Sequence, residues 1–150
     1  MKEEALKKFL VRAKVNTYAG DGDLSASSRP NSKDLHYLEG DISYIDSYFG
    51  STDFIGEEVV FENDKSIWGM NYHGKMLVTD IPEGFSYCLK SALKATSPEY
   101  PFRGPSKFEY EGFTYKCSWH GNLSDFIGDE EISLDGTCIY RLSFHGGYIK

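Results

Sequence analysis

Apolar residues recur along the chain in two rhythms. Over residues 2–14, Ala5, Leu6, Phe9, Leu10 and Ala13 fall on one face at helical spacing, which predicts an amphipathic helix. Over residues 83–95, Phe85, Cys88, Leu89, Ala92 and Leu93 do the same, with Pro82 suited to a first helical position and Asp80 near the cap. Behind each helix the rhythm becomes strict alternation. It predicts strands near 42–49, 57–63 and 66–73, then near 113–120, 129–134 and 137–145. The N-D-K and L-D-G-T turns mark hairpins between the last two strands of each set. Strands joined by short turns pair antiparallel. The expected fold class is α+β: a tandem α-β-β-β repeat with antiparallel sheets and pseudo-twofold symmetry.

The repeat is visible in the letters. Residues 54–74 read FIGEEVVFENDKSIWGMNYHG, and residues 126–146 read FIGDEEISLDGTCIYRLSFHG. They align without a gap. Seven positions are identical: Phe54, Ile55, Gly56, Glu58, Ile67, His73 and Gly74, each matched 72 residues later. Ordinary composition gives roughly one or two. With one residue inserted, YIDSYFG at 44–50 faces YKCSWHG at 115–121. Further back, Arg29 and Arg103 sit in similar loops, SRPNSK and FRGPSK. One domain, residues 1–150, is expected, made of two similar halves at about 1–80 and 81–150.

Alternation also assigns faces. Trp68, Met70 and Tyr72 match Tyr140, Leu142 and Phe144, so that face is the core. His73 and His145 point the other way. Tyr115, Cys117 and Trp119 are inward, and by register so are Tyr44, Asp46 and Tyr48. Glu58 and Glu130 share a face with Val60 and Ile132. An inward acid costs several kcal/mol unless it is paired, hydrogen-bonded or wet. Two readings stay open: structural pairing, with tyrosine hydroxyls, Arg29 or Arg103 as partners, or a ligand site.

Residues 16–35 break the pattern. They are rich in Gly, Ser and Asp, with one further strand expected near 15–19. A loop this long is either functional or disordered. Gly20-Asp21-Gly22-Asp23 resembles part of a calcium loop but lacks the far glutamate, and reads as a turn.

Composition narrows the function classes. The 150 residues carry 16 basic and 23 acidic side chains, a net charge of −7. No clustered basic face for nucleic acid is expected. No apolar stretch approaches a membrane span, and the first residues lack a signal peptide's apolar region. Cys88, Cys117 and Cys138 form no CxxC and read as reduced thiols of a cytoplasmic protein. Two Trp, 11 Tyr and 10 Phe are many, and tyrosine suits both strands and half-wet pocket walls.

Dinucleotide, nucleotide, zinc-protease and serine-hydrolase motifs are absent from the sequence. His73 and His145 with Glu58 and Glu130 are chemically sensible metal ligands across a twofold axis. Their spacing matches no known ligand pattern, so no metal or cofactor is expected. Cys117 and His120 lie three apart on a strand and face opposite sides, which leaves Cys117 a small core residue.

Several segments together carry a family resemblance: SSRPNSKDLHY at 27–37, GDISYIDSYFG at 40–50, FIGEEVVF at 54–61, MNYHG at 70–74, PFRGP at 101–105 and FHGGYIK at 144–150. The chain resembles a bacterial domain family found alone and C-terminal to XRE-type helix-turn-helix regulators. The family has no assigned activity. With residue 1 already opening the domain, no helix-turn-helix and no direct DNA contact are expected. The association with regulators implies a sensor or ligand-binding role. The layout is also similar to GyrI-like effector-binding domains.

The leading expectation is a small-molecule-binding domain with its pocket between the halves. Tyr44, Asp46, Tyr48, Trp68 and Trp119 would form walls, with Glu58 and Glu130 as charged partners and Arg29 and Arg103 beside them. Acid and aromatic faces suit a cationic or polyhydroxylated ligand. The alternatives are a small hydrolase or isomerase using the same carboxylates, or a protein-interaction module using the tyrosine-rich sheet.

Overall fold

The computed structural model describes residues 1–17, 19, 20 and 22–150. Helix α1 (Glu3–Asn16) is followed by strands β1 (Lys33–Glu39), β2 (Ile42–Gly50), β3 (Phe54–Glu62) and β4 (Lys65–Met76). Helix α2 (Phe85–Lys94) then precedes β5 (Lys107–Tyr110), β6 (Phe113–Asn122), β7 (Asp125–Leu134) and β8 (Thr137–Tyr148). All eight strands form one antiparallel sheet in the order β1-β2-β3-β4-β8-β7-β6-β5. The α+β tandem repeat is present, with a fourth strand in each half.

The extra strands, β1 and β5, are the sheet's edges. In β1 the hydrophobic signal is scrambled: Asp34 is buried while Leu38 is 71% exposed. β5 has only four residues. The strand expected near 15–19 is not one, because α1 runs on through Val15 and Asn16. Tyr18 lies outside the described residues, as does Asp21 of the calcium-loop-like run. Helix α2 is capped by Gly84 at φ 91° rather than started at Pro82. Left-handed backbone at Asn63 and Asp64, and at Asp135 and Gly136, forms the two expected hairpin turns.

The central pair, β4 and β8, shows what the repeat is for. Tyr72 faces Phe144, its own repeat mate, so the pseudo-twofold axis passes between them. Each half's FIG phenylalanine packs on the other half. Phe54 stacks on Tyr140 at 6.4 Å, and Phe126 stacks on Trp68 at 5.7 Å. A Cβ on Gly56 would fall into the Tyr72 ring, and one on Gly128 into Phe144. Gly74 and Gly146 likewise leave room for Phe54 and Phe126. The repeated letters therefore encode an interlock of rings over glycines at the axis.

Both helices share one core with one sheet face. Leu6, Phe9 and Leu10 of α1 and Phe85, Cys88 and Ala92 of α2 pack with Tyr44, Val60, Trp68, Met70, Tyr115, Ile132 and Leu142. His73 and His145 lie exposed on the opposite face, as expected. Among the described residues, no helix is long and apolar enough to cross a membrane.

The described part of the long loop is tied to β1 by one carboxylate. Asp34 accepts from the Ser32 and Ser47 hydroxyls at 2.7 and 2.8 Å and from the Ser28 amide at 3.1 Å. Burial pushes this carboxyl up, but the serine hydrogen bonds outweigh it and hold it at about 2. Asp34→Ala is expected to lower stability by about 1–3 kcal/mol. It should also strip hydrogen-exchange protection from Ser28. Unchanged protection there would show that the loop is held by something else.

Candidate functional site

Five ionisable side chains meet in the core: Lys14, Asp46, Glu58, Arg103 and Glu130, each 4% exposed or less. They divide unequally between the halves. In the second half, Glu130 is saturated. Arg103 grips it through Nε at 3.0 Å and Nη2 at 2.9 Å. The Tyr115 and Tyr140 hydroxyls donate to it at 2.5 and 2.8 Å. A buried carboxylate with four donors is a structural element.

The first half has lost that arrangement. Trp68 replaces Tyr140 and donates its Nε1 to the Leu123 carbonyl at 3.0 Å instead. Lys14 takes the place of the arginine, donating to Glu58 Oε2 at 2.5 Å and to the Phe102 carbonyl at 2.6 Å. Asp46, directly opposite Glu58 on β2 and β3, replaces Cys117, which lies opposite Glu130. Glu58 Oε1 and Asp46 Oδ2 are buried without a hydrogen-bond partner among the described residues. The other Asp46 oxygen accepts from the Tyr72 hydroxyl at 2.6 Å. Arg103 lies 5.5 Å from the Tyr72 ring centroid, so a chain of contacts runs from Glu130 across the axis to Asp46.

Burial, with the Glu58 charge behind it, pushes the Asp46 carboxyl up to about 7, against the Tyr72 hydrogen bond and the Lys14 and Arg103 charges. Charge counting gives the same direction. Two cations face three carboxyls, and a proton on Asp46 removes the surplus. It also puts a donor at the strand position opposite Glu58.

Beside this pair is a cavity of about 470 Å³. Its walls come from both halves. Leu35, Tyr48, Phe54 and Tyr72 come from β1 to β4, and Phe85, Leu89, Lys90 and Leu93 from α2. Thr17, Gly22 and Leu24 close the loop side, and Lys33 stands at the start of β1. Asp46 reaches the wall through Tyr72.

The expected site residues separate into groups. Tyr48 lines the cavity, and Asp46 and Glu58 lie behind its wall. Tyr44 and Trp68 are fully buried in the core, outside the cavity lining. Trp119 packs edge-on against Tyr100 and Phe102 at 5.4 and 5.2 Å, also away from the cavity. Arg29 and Arg103 are not counterparts. Arg103 is buried on Glu130, whereas Arg29 lies on the outer sheet face, 5.2 Å from the Phe49 ring centroid. Arg29 borders an outer hollow of about 540 Å³ with His73 and His145. The sheet separates those histidines from Glu58 and Glu130, so that metal-ligand set does not assemble. Burial, with the Glu130 charge adding to it, pushes the Cys117 thiol up to about 12, so it is protonated and no nucleophile.

Lys14 and Tyr72 were missed from the sequence as site residues. Lys14 carried a signal: it falls four residues after Leu10, on the apolar stripe of α1. Tyr72 was assigned inward, and its hydroxyl needed a partner.

A family model described as domain of unknown function DUF5680 matches residues 46–149. The chain belongs to this family, and the match takes in β2 from Asp46 onward, β3 to β8 and α2. No curated protein and no solved structure matches the chain.

Proposed function

We propose that the protein is a small-molecule-binding, sensor-like domain whose ligand sits in the cavity between α2 and strands β1 to β4. One observation carries this reading. In the first half, whose strands β1 to β4 supply one wall of the cavity, two buried carboxyl oxygens have no hydrogen-bond partner among the described residues, while the equivalent acid in the second half is saturated. Buried polar groups left unmatched cluster at sites. Ring and aliphatic walls with a few polar tips suit an organic ligand, and the volume is in the range of such pockets. The resemblance to bacterial domains attached to XRE-type regulators favours sensing over a purely structural role. Three unpaired cysteines agree with a reducing, cytoplasmic setting.

Acid–base catalysis is the second reading, and it has its own observation. The Tyr72 hydroxyl is bonded to a carboxyl held near neutrality, behind the cavity wall. Against it, the carboxyls are cross-strand neighbours in the core and do not flank a cleft.

The test is a fragment screen by thermal shift on the wild type and on Leu89→Trp, which fills the cavity from α2. Fragments that raise the wild-type melting temperature are expected to lose that effect in the variant. Hits indifferent to Leu89→Trp would place binding elsewhere.

A further inference from the structure

The two edge strands are built alike and protected differently. Each leads into a two-residue turn, closed by the pairs Glu39–Ile42 and Tyr110–Phe113. The closing pair of such a hairpin is hydrogen-bonded, and main-chain groups alternate in direction along a strand. In β5, Phe108 and Tyr110 therefore bond β6, and the backbone groups of Lys107 and Glu109 face outward. The side chains of those two residues form an exposed ion pair at 3.1 Å, the kind of charged cover that shields an edge from strand addition. In β1, Leu35, Tyr37 and Glu39 bond β2, and the backbone groups of Asp34, His36 and Leu38 face outward. The Ser25 amide donates to the Asp34 carbonyl at 2.8 Å, which agrees with that direction and covers that end. His36 and Leu38 keep an outward N–H and C=O each, with no hydrogen-bond partner among the described residues. No lysine, proline or bulge lies between them, and Leu38 is 71% exposed.

We propose that this edge pairs with the same edge of a second copy, antiparallel about Tyr37, to form a closed twofold dimer. The register follows from which groups are free, because opposing residues must both face outward. Pairing centred on His36 sets Leu38 against Asp34, which Ser25 already holds. Pairing centred on Leu38 sets His36 against Gly40, in the turn with φ 62°. Centred on Tyr37, His36 of each copy exchanges two hydrogen bonds with Leu38 of the other, and every free group is used. The exposed side chains of His36 and Leu38 then cover one another on the outer face. Charge agrees with this direction. β1 has Lys33 at its start and the exposed Asp41 in the turn at its end, and antiparallel pairing brings the start of one copy to the turn of the other. β5, with its charged cover, offers no second edge for the contact, so assembly stops at two. The free stretch is short, and the dimer is accordingly weak and concentration-dependent. β1 also supplies Lys33 and Leu35 to the cavity wall, but the pairing does not depend on the ligand-binding reading.

Sedimentation over a concentration series, with residue-resolved hydrogen exchange, tests it. The chain is expected to pass from monomer to dimer between micromolar and millimolar concentration. The amides of His36 and Leu38 should slow in step, while those of Lys107 and Glu109 stay fast. Leu38→Pro removes a donor that makes no bond within the monomer and should weaken the dimer about tenfold or more. Leu38→Lys gives the edge the charge that β5 carries and should act in the same direction. Because Leu38 is exposed, this second variant is expected to keep the monomer's melting temperature. A chain that stays monomeric at millimolar concentration would overturn the proposal and leave the edge to an extended segment of another protein. A dimer indifferent to both variants, or one that protects other amides instead, would overturn it as well.

Discussion

Arg103→Met is expected to cost about 3–5 kcal/mol in chemical denaturation, because it leaves a buried carboxylate without its cation. Glu130 is fully buried, and the guanidinium supplies two of its four donors. The tyrosine hydroxyls that remain are neutral and cannot replace the charge. Pairing the change with Glu130→Leu should recover part of the loss. Recovery stays incomplete because Tyr115 and Tyr140 then lose their acceptor. A loss below about 1 kcal/mol, the range of exposed pairs, would mean that Arg103 is not sealed in the core. The first half should respond differently. Lys14→Met exposes Glu58 to the same penalty, but its neighbour Asp46 can discharge by taking up a proton. Its cost is therefore expected to be smaller at pH 5 than at pH 8.

The second large effect is the pH response of Asp46→Asn. The folded carboxyl lies near 7, against 3.8 for its ordinary value. Between those values the native state holds a proton that the unfolded chain has released. Stability contributed by this group therefore falls as pH rises through that window, by up to about 1.4 kcal/mol per pH unit. Asparagine imitates the protonated acid: it accepts from Tyr72 and carries no charge. The variant should match the wild type near pH 4 and become progressively more stable than it up to about pH 7, with a constant gap above that. Melting curves from pH 4 to pH 8 measure this. A gap independent of pH would show that Asp46 is ionised throughout, and the surplus-charge account of the core would be wrong.

Much of the architecture was legible because the repeat writes it twice. The ungapped FIG and HG matches carry the axis itself: Phe54 and Phe126 need Gly74 and Gly146 beneath them, and Tyr72 and Phe144 need Gly56 and Gly128. Core and solvent faces followed from alternation in β4 and β8. The edge strands were hidden for local reasons. β1 buries an aspartate under a serine loop, and β5 alternates over only four residues, too few to stand out. For the candidate site, the inward placement of Asp46, Glu58 and Glu130 was readable, and their partners were not. Which cation reaches which acid depends on where α1 ends and how the 101–105 loop enters the core, and no strand register contains that. The similarity of the SRPNSK and FRGPSK loops was misleading for the same reason, since one arginine turns into the core and the other lies on the outer face. Lining charge was the largest gap. Lys33 and Lys90 are ordinary surface lysines in the sequence and become wall residues only through the cavity between α2 and the first half's strands.

The central claim is that ligands enter between α2 and β1 to β4. An amide chemical-shift map with 2-(2-naphthyl)ethanol tests it most directly, because this neutral probe reads the cavity without its charges. The account predicts the largest shifts at Tyr48, Phe54, Tyr72, Phe85 and Leu89, with Glu130 and its tyrosines unmoved. Shifts centred on Arg29, Phe49, His73 and His145 would move the site to the outer face of the sheet and contradict the account, as would a spectrum unchanged at millimolar probe.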